Sequence, residues 1–134
     1  MNPFDNFEYE PSTLELLATN LEDEDVLHIF QQVWRFRERG GYKKSYLPDW
    51  GIKRRRYDNA FLILEATKFI TRNEKGSSTP YFPTIRGTQL ALYLINDLQL
   101  DKDNFVKLTT EEYESFMHTY KLRDSTDKGD EQNA

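Results

Sequence analysis

The chain has 134 residues, room for one domain with a modest core, and its 37% hydrophobic and 31% charged composition leaves some length for solvated tails. Aromatics at 14% argue against wholesale disorder, and the absence of cysteine excludes disulfides and thiolate zinc sites and suits a reducing cytoplasm. The net charge of −5 is segregated: Met1 to Trp34 has eight acidic and no basic residues, Arg35 to Lys75 twelve basic and five acidic, and Asp101 to Ala134 five basic and nine acidic.

Residues 1–20 read as an extended, aromatic-bearing arm, or a short helix capped by Ser12 or Thr13 and running through Thr19. Met1 to Glu10 carries no basic residue and no apolar run, so it is not expected to act as a signal peptide. No membrane partner is expected either, since the longest unbroken apolar stretch, Ala60 to Leu64, covers five positions. Asn20 to Asp25 is a carboxylate-rich helix start, followed by Val26, Ile29, Phe30, Val33, Trp34 and Arg37 at helical spacing. Gly40-Gly41 is expected to stop that helix.

Tyr42 to Ile52 suits one or two helical turns and then a tight turn, because Pro48 and Gly51 interrupt its apolar set. Lys53 to Lys68 predicts a second long helix with Tyr57, Ala60, Phe61 and Leu64 on its buried stripe. Phe69 to Arg72 and Thr79 to Pro83 read as two strands around a polar tip, Asn73 to Ser78, with Pro80 and Pro83 marking an edge. Thr84 caps a third helix to about Leu98. Thr109 or Thr110 caps a last one through Leu122, bearing Tyr113, Phe116, Met117 and Tyr120. Residues 21–122 are therefore expected as one domain and 123–134 as a disordered polar tail.

Two local patterns carry a resemblance. Leu64-Glu65-Ala66-Thr67-Lys68-Phe69-Ile70-Thr71-Arg72 is similar to the junction between recognition helix and wing in winged-helix proteins, with Lys68 where a glycine is usual. Tyr81-Phe82-Pro83-Thr84-Ile85-Arg86-Gly87-Thr88-Gln89-Leu90 is similar to their exit from the wing, where Thr84 would cap and Gly87 would permit close approach. The chain thus resembles the winged-helix family, and more narrowly regulators of the multiple-antibiotic-resistance type. The resemblance implies an α+β, mostly α fold: a winged helix-turn-helix with a two-stranded β-hairpin wing and additional N- and C-terminal helices. It also implies a homodimer that binds double-stranded DNA to regulate transcription.

The charge pattern points the same way. A recognition helix enters the major groove N-terminal end first, and here that end is Lys53, Arg54, Arg55 and Arg56, followed by Asp58 and Asn59. Arginine grips guanine or phosphate and asparagine reads adenine. Lys43, Lys44 and Ser45 would meet phosphates from the short helix, and Arg72 and Lys75 from the wing. Asp58 either joins in base reading or simply pairs with an arginine.

No nucleophile, base and orienter cluster and no phosphate-cradling glycine loop is present, so neither an enzyme nor a cofactor is expected. His28 and His118 lack neighbours at metal-ligand spacing, and Glu22 to Asp25 lack the glycine of a calcium loop. Leu62 and Ile63 make the helix apolar nearly all round, which calls for cover by the arm, the last helix or a second subunit. Tyr93, Phe116, Met117 and Tyr120 either form a dimer interface or complete the monomer core. Two other functions remain open: a winged-helix protein–protein interaction module, and a DNA-binding protein of plasmid or phage replication or partition. An effector or protein partner is left unspecified.

Overall fold

A computed structural model describes residues 7–73 and 79–133. The architecture is α+β and mostly α: helices packed around one core, with a single two-stranded antiparallel sheet among the described residues. None of these helices is long and apolar enough to cross a membrane.

Helix α1 (Pro11–Ala18) starts one residue before the expected caps. Pro11 occupies the first turn, where its missing N–H costs nothing, and Leu14 and Ala18 are buried. A 3-10 turn, Thr19–Glu22, buries Leu21 and leads to α2 (Glu24–Arg35). The Asp23 carboxylate caps α2 by accepting the N–H groups of Asp25 at 2.8 Å and Val26 at 3.3 Å. Replacing Asp23 by alanine should lower stability by about 1 kcal/mol, read as a shift in the urea midpoint with unchanged slope. An unmoved midpoint would show that the neighbouring acidic residues suffice for this end.

Helix α2 buries Val26, Ile29, Phe30, Val33 and Trp34 as its periodicity predicts, but it ends at Arg35 rather than at the glycine pair. The backbone turns over Phe36–Gly40, and Arg37 folds back with its guanidinium 3.9 Å from the Trp34 ring centre. Gly40 and Gly41 then take φ of +80° and +84°. Gly41 has a second constraint, since a β-carbon there would stand 2.8 Å from the Phe82 ring. This contact brings Tyr42 beside Tyr81, and each N–H donates to the other's carbonyl, at 3.0 and 2.8 Å.

The expected short helix is one 3-10 turn, Lys44–Tyr46. Helix α3 (Arg54–Ala66) buries Tyr57, Ala60, Phe61 and Leu64, the stripe read from the sequence. Lys68 reverses the chain with φ of +67°, the left-handed geometry that makes glycine the usual occupant of such a position. Strand β1 (Ile70–Arg72) then pairs with β2 (Tyr81–Pro83) in the register Ile70 to Pro83 and Arg72 to Tyr81. Most of the expected tip, and Lys75 with it, lies outside the described residues.

Thr84 accepts the Gly87 N–H at 3.0 Å and starts α4 (Ile85–Leu92), which continues as a π-helical turn, Tyr93–Asp97. Gln99, with φ of +53°, closes it, and Leu98 is exposed rather than part of the apolar stripe. After a 3-10 turn (Lys102–Phe105), Thr109 and Glu112 cap α5 reciprocally, each side chain accepting the other's N–H at 3.1 Å. Helix α5 (Thr110–Asn133) runs past Leu122, so its backbone is helical where a disordered tail was expected. No proline interrupts it, and its Glu, Lys, Arg and Gln residues are good helix formers. Arg123, assigned to that tail, is fixed: it donates to the carbonyls of Ser45 and Tyr46 at 3.1 and 3.2 Å.

Tyr81, Phe30, Phe61 and Phe69 are the largest fully buried side chains, and among the described residues no polar or charged residue is buried with them. The N-terminal arm closes one side of this core. Gln89 brackets Tyr9 by accepting its N–H at 2.8 Å and donating to its carbonyl at 2.7 Å. The Tyr9 hydroxyl donates to Thr67 at the end of α3, and Arg86 donates to Phe7 while lying 4.2 Å from the Tyr9 ring centre.

Candidate nucleic-acid interface

The basic block does not form one open patch; its members divide by partner. At about 100° per residue, Tyr57, Ala60, Phe61 and Leu64 fix the inward side of α3. The opposite stripe is then Arg55, Asn59, Leu62 and Ala66, all exposed. Among the described residues no hydrogen bond or ion pair engages the Arg55 side chain. Arg54 is equally open, with 73% of its side chain exposed and only a loose 3.8 Å approach to Asp58.

Carboxylates hold the other cations along the two edges of this stripe. On one edge Arg56 meets Asp25 of α2 at 2.6 Å, and the bond keeps its guanidinium protonated beyond its ordinary range. On the other edge Lys44 donates to Asp58 at 2.8 Å and Arg72 meets Glu65 at 3.2 Å. These two pairs seat the 3-10 turn and the hairpin against the same flank of α3, about two turns apart along it. Lys53 is tied to Asp49 at 3.0 Å, just ahead of the helix.

Lys44 is a strut more than a free charge. Burial opposes its protonation, but the hydrogen bond it donates to Asp58 and the field of Tyr81 outweigh it and hold its pKa above the ordinary lysine value. Its amine lies 5.4 to 5.8 Å from the ring centres of Phe61, Trp50 and Tyr81. Asp49 is pulled below the ordinary carboxylate range by the Tyr57 hydroxyl and then Lys53. Tyr57, raised to about 12 by burial and by that same bond, stacks on Trp50 with ring centres 6.3 Å apart. The start of α3 is therefore braced from both sides while its outward cations stay free.

Lys43 is half-buried, lies 5.9 Å from the Tyr46 ring centre and has no carboxylate partner among the described residues. The Ser45 hydroxyl shares a hydrogen bond of 3.1 Å with Tyr120 of α5. Helix α5 thus reaches the turn that carries Lys43, a neighbourhood the sequence did not reveal. Arg123 joins the candidate surface there, although its polar surroundings in the sequence place it in a tail. Phe116 and Tyr120 pack on Phe36 and Tyr46 of their own chain, with ring centres 5.0 to 5.1 Å apart across these contacts. No family model, curated protein or solved structure matches this chain.

The acidic start of α2 bounds the surface. Asp23, Glu24 and Asp25 share a shallow cleft with Arg56 and Asn59, so Asn59 stands between Arg55 and a negative wall. Among the described residues no group of histidine and carboxylate side chains is arranged to hold a metal ion.

Proposed function

We propose that the chain is a winged-helix protein, of the type represented by the multiple-antibiotic-resistance regulators, that binds double-stranded DNA through α3 and regulates transcription in the cytoplasm. The outward stripe of α3, with Arg55 and Asn59 open at its first two turns and the exposed Arg54 beside them, is the observation that carries this reading. The element order supports it: α2, a short turn, α3, then a hairpin whose second strand also meets Tyr42. Arg54 and Arg55 would grip guanine edges or phosphates, Asn59 would read adenine, and Lys43 and Arg123 would anchor the backbone. Lys44, Lys53 and Arg56, expected from sequence as contacts, are each paired with a carboxylate of the same chain, which would leave less of their charge for phosphates. A homodimer would let two such helices span neighbouring half-sites. No catalytic step is assigned.

Duplex binding at several salt concentrations tests this reading. Arg55→Ala should weaken binding by about 1–3 kcal/mol, and if the guanidinium meets a phosphate the slope of log affinity against log salt should flatten by about one unit. Circular dichroism should be unchanged, because the side chain holds nothing in the fold. An affinity equal to wild type would remove α3 from the groove.

A second reading, a protein–protein interaction module, draws on one observation. Lys44, Lys53, Arg56 and Arg72 are all engaged by carboxylates of the same chain, which lowers the field available to phosphates. Failure to bind random duplex DNA at low salt would favour it.

A further inference from the structure

Leu62 stands out on the surface just described. It is 63% exposed, and among the described residues neither the arm, which lies over Thr67 and Gln89, nor α5, which lies over Phe36 and Tyr46, covers it. Ile63 beside it is half-buried against the core, so Leu62 is the exposed member of the pair. A single exposed leucine needs no explanation by itself. Its position supplies the reason to look further. Leu62 lies about 20° from Arg55 and about 60° from Asn59 around the helix, on the same exposed side as both.

Resting on the DNA reading above, we infer that Leu62 is a specificity-determining residue that packs on the 5-methyl group of a thymine in the major groove. The stripe then carries one donor fork for guanine, one amide for adenine and one aliphatic group for the methyl that marks thymine. Leu62 lies about 10 Å beyond Arg55 along the helix axis, roughly three base-pair steps. The thymine is therefore expected about three base pairs from the base that Arg55 contacts. The surrounding charge is compatible with a nucleic acid: Arg55 opens the stripe, and the carboxylates beside Leu62 on α3, Asp58 and Glu65, are paired with Lys44 and Arg72.

The test begins with selection of the preferred duplex by the intact chain. Each thymine of that duplex is then replaced in turn by deoxyuridine, which removes the methyl and leaves every hydrogen-bonding group. For wild type, one replacement should weaken binding about four-fold, the effect of one methyl group returned to water. Leu62→Ala should bind the thymine duplex more weakly by at least as much and be indifferent to that replacement. The variant should keep its thermal midpoint, since Leu62 is outside the core. If wild type selects a sequence but no deoxyuridine duplex weakens it, or if Leu62→Ala keeps the same sensitivity, the assignment to Leu62 falls and DNA binding stands. If Leu62→Ala instead converts a wild-type dimer into monomers in sedimentation, the residue belongs to a subunit interface and the inference is overturned. Absence of any duplex binding by wild type removes this inference together with the reading beneath it.

Discussion

Replacing Gly87 by alanine is expected to destabilise the chain by about 3 kcal/mol, at the upper end of what overpacking costs. A β-carbon at this position would stand 2.2 Å from the backbone oxygen of Phe69 and 3.2 Å from the Pro83 β-carbon. The Phe69 oxygen has little room to retreat, because it accepts the Thr84 N–H at 3.1 Å and belongs to a residue whose ring is fully buried. Relief would require α4 to lift away from the root of the hairpin, and that movement would also strain the Thr84 cap. Urea titration at 25 °C reads the effect directly. Gly51→Ala is the comparison, since nothing lies within 4 Å of its added carbon, and it should stay within about 0.5 kcal/mol of wild type. Equal midpoints for the two variants would show that the α4 junction yields easily.

A loss of about 3–5 kcal/mol is expected for Phe36→Ala. Phe36 is 3% exposed, and its ring sits at the centre of an aromatic cluster, 5.0 Å from Tyr42, 5.6 Å from Tyr46, 5.1 Å from Phe116 and 6.3 Å from Tyr113. Truncation removes a large apolar surface and leaves a hole that four stiff rings fill poorly. The consequence should be local as well as global. Between Thr110 and Arg123, α5 has no fully buried residue, so its attachment rests on this cluster and on a few polar ties such as Arg35 to Glu112 at 3.3 Å. Hydrogen exchange should therefore accelerate over 110–123 more than over α2 or α3. A midpoint shift below about 1 kcal/mol, or uniform exchange across the helices, would contradict this account.

Much of this fold is written in local spacing. The buried stripe of α3 follows from Tyr57, Ala60, Phe61 and Leu64 alone, because burial needs only a helical period and an apolar side. Thr84 and Gly87 announce a cap and a close approach through their residue types. Lys68, in the left-handed conformation, shows that a turn can be imposed by its flanks without the glycine that would ease it. What stayed hidden depends on partners distant in sequence. The ladder formed by Tyr42 with Tyr81 involves a single residue and has no periodic signature. The seeming uniformity of Lys53 to Arg56 dissolves because Asp25 and Asp49 lie on different segments, and no spacing rule connects Asp25 to Arg56. Arg123 was misread for a related reason: a polar sequence says that a segment can live in water, not that its carbonyl partners are absent.

The clasp of Gln89 on Tyr9 has a consequence for how the chain acquires its shape during synthesis. Residues separated by eighty positions must meet before either backbone group of Tyr9 is satisfied, and Arg86 reaches Phe7 across nearly the same gap. Tyr9 is made eighty residues ahead of Gln89 and must wait for them to follow. Loop closure on that scale slows folding, and until it happens Phe69 lacks the edge-on cover of the Tyr9 ring, 6.0 Å away in the finished structure. The nascent protein therefore passes through a stage in which the groups that will carry α3 have emerged and the latch that holds its far end has not closed.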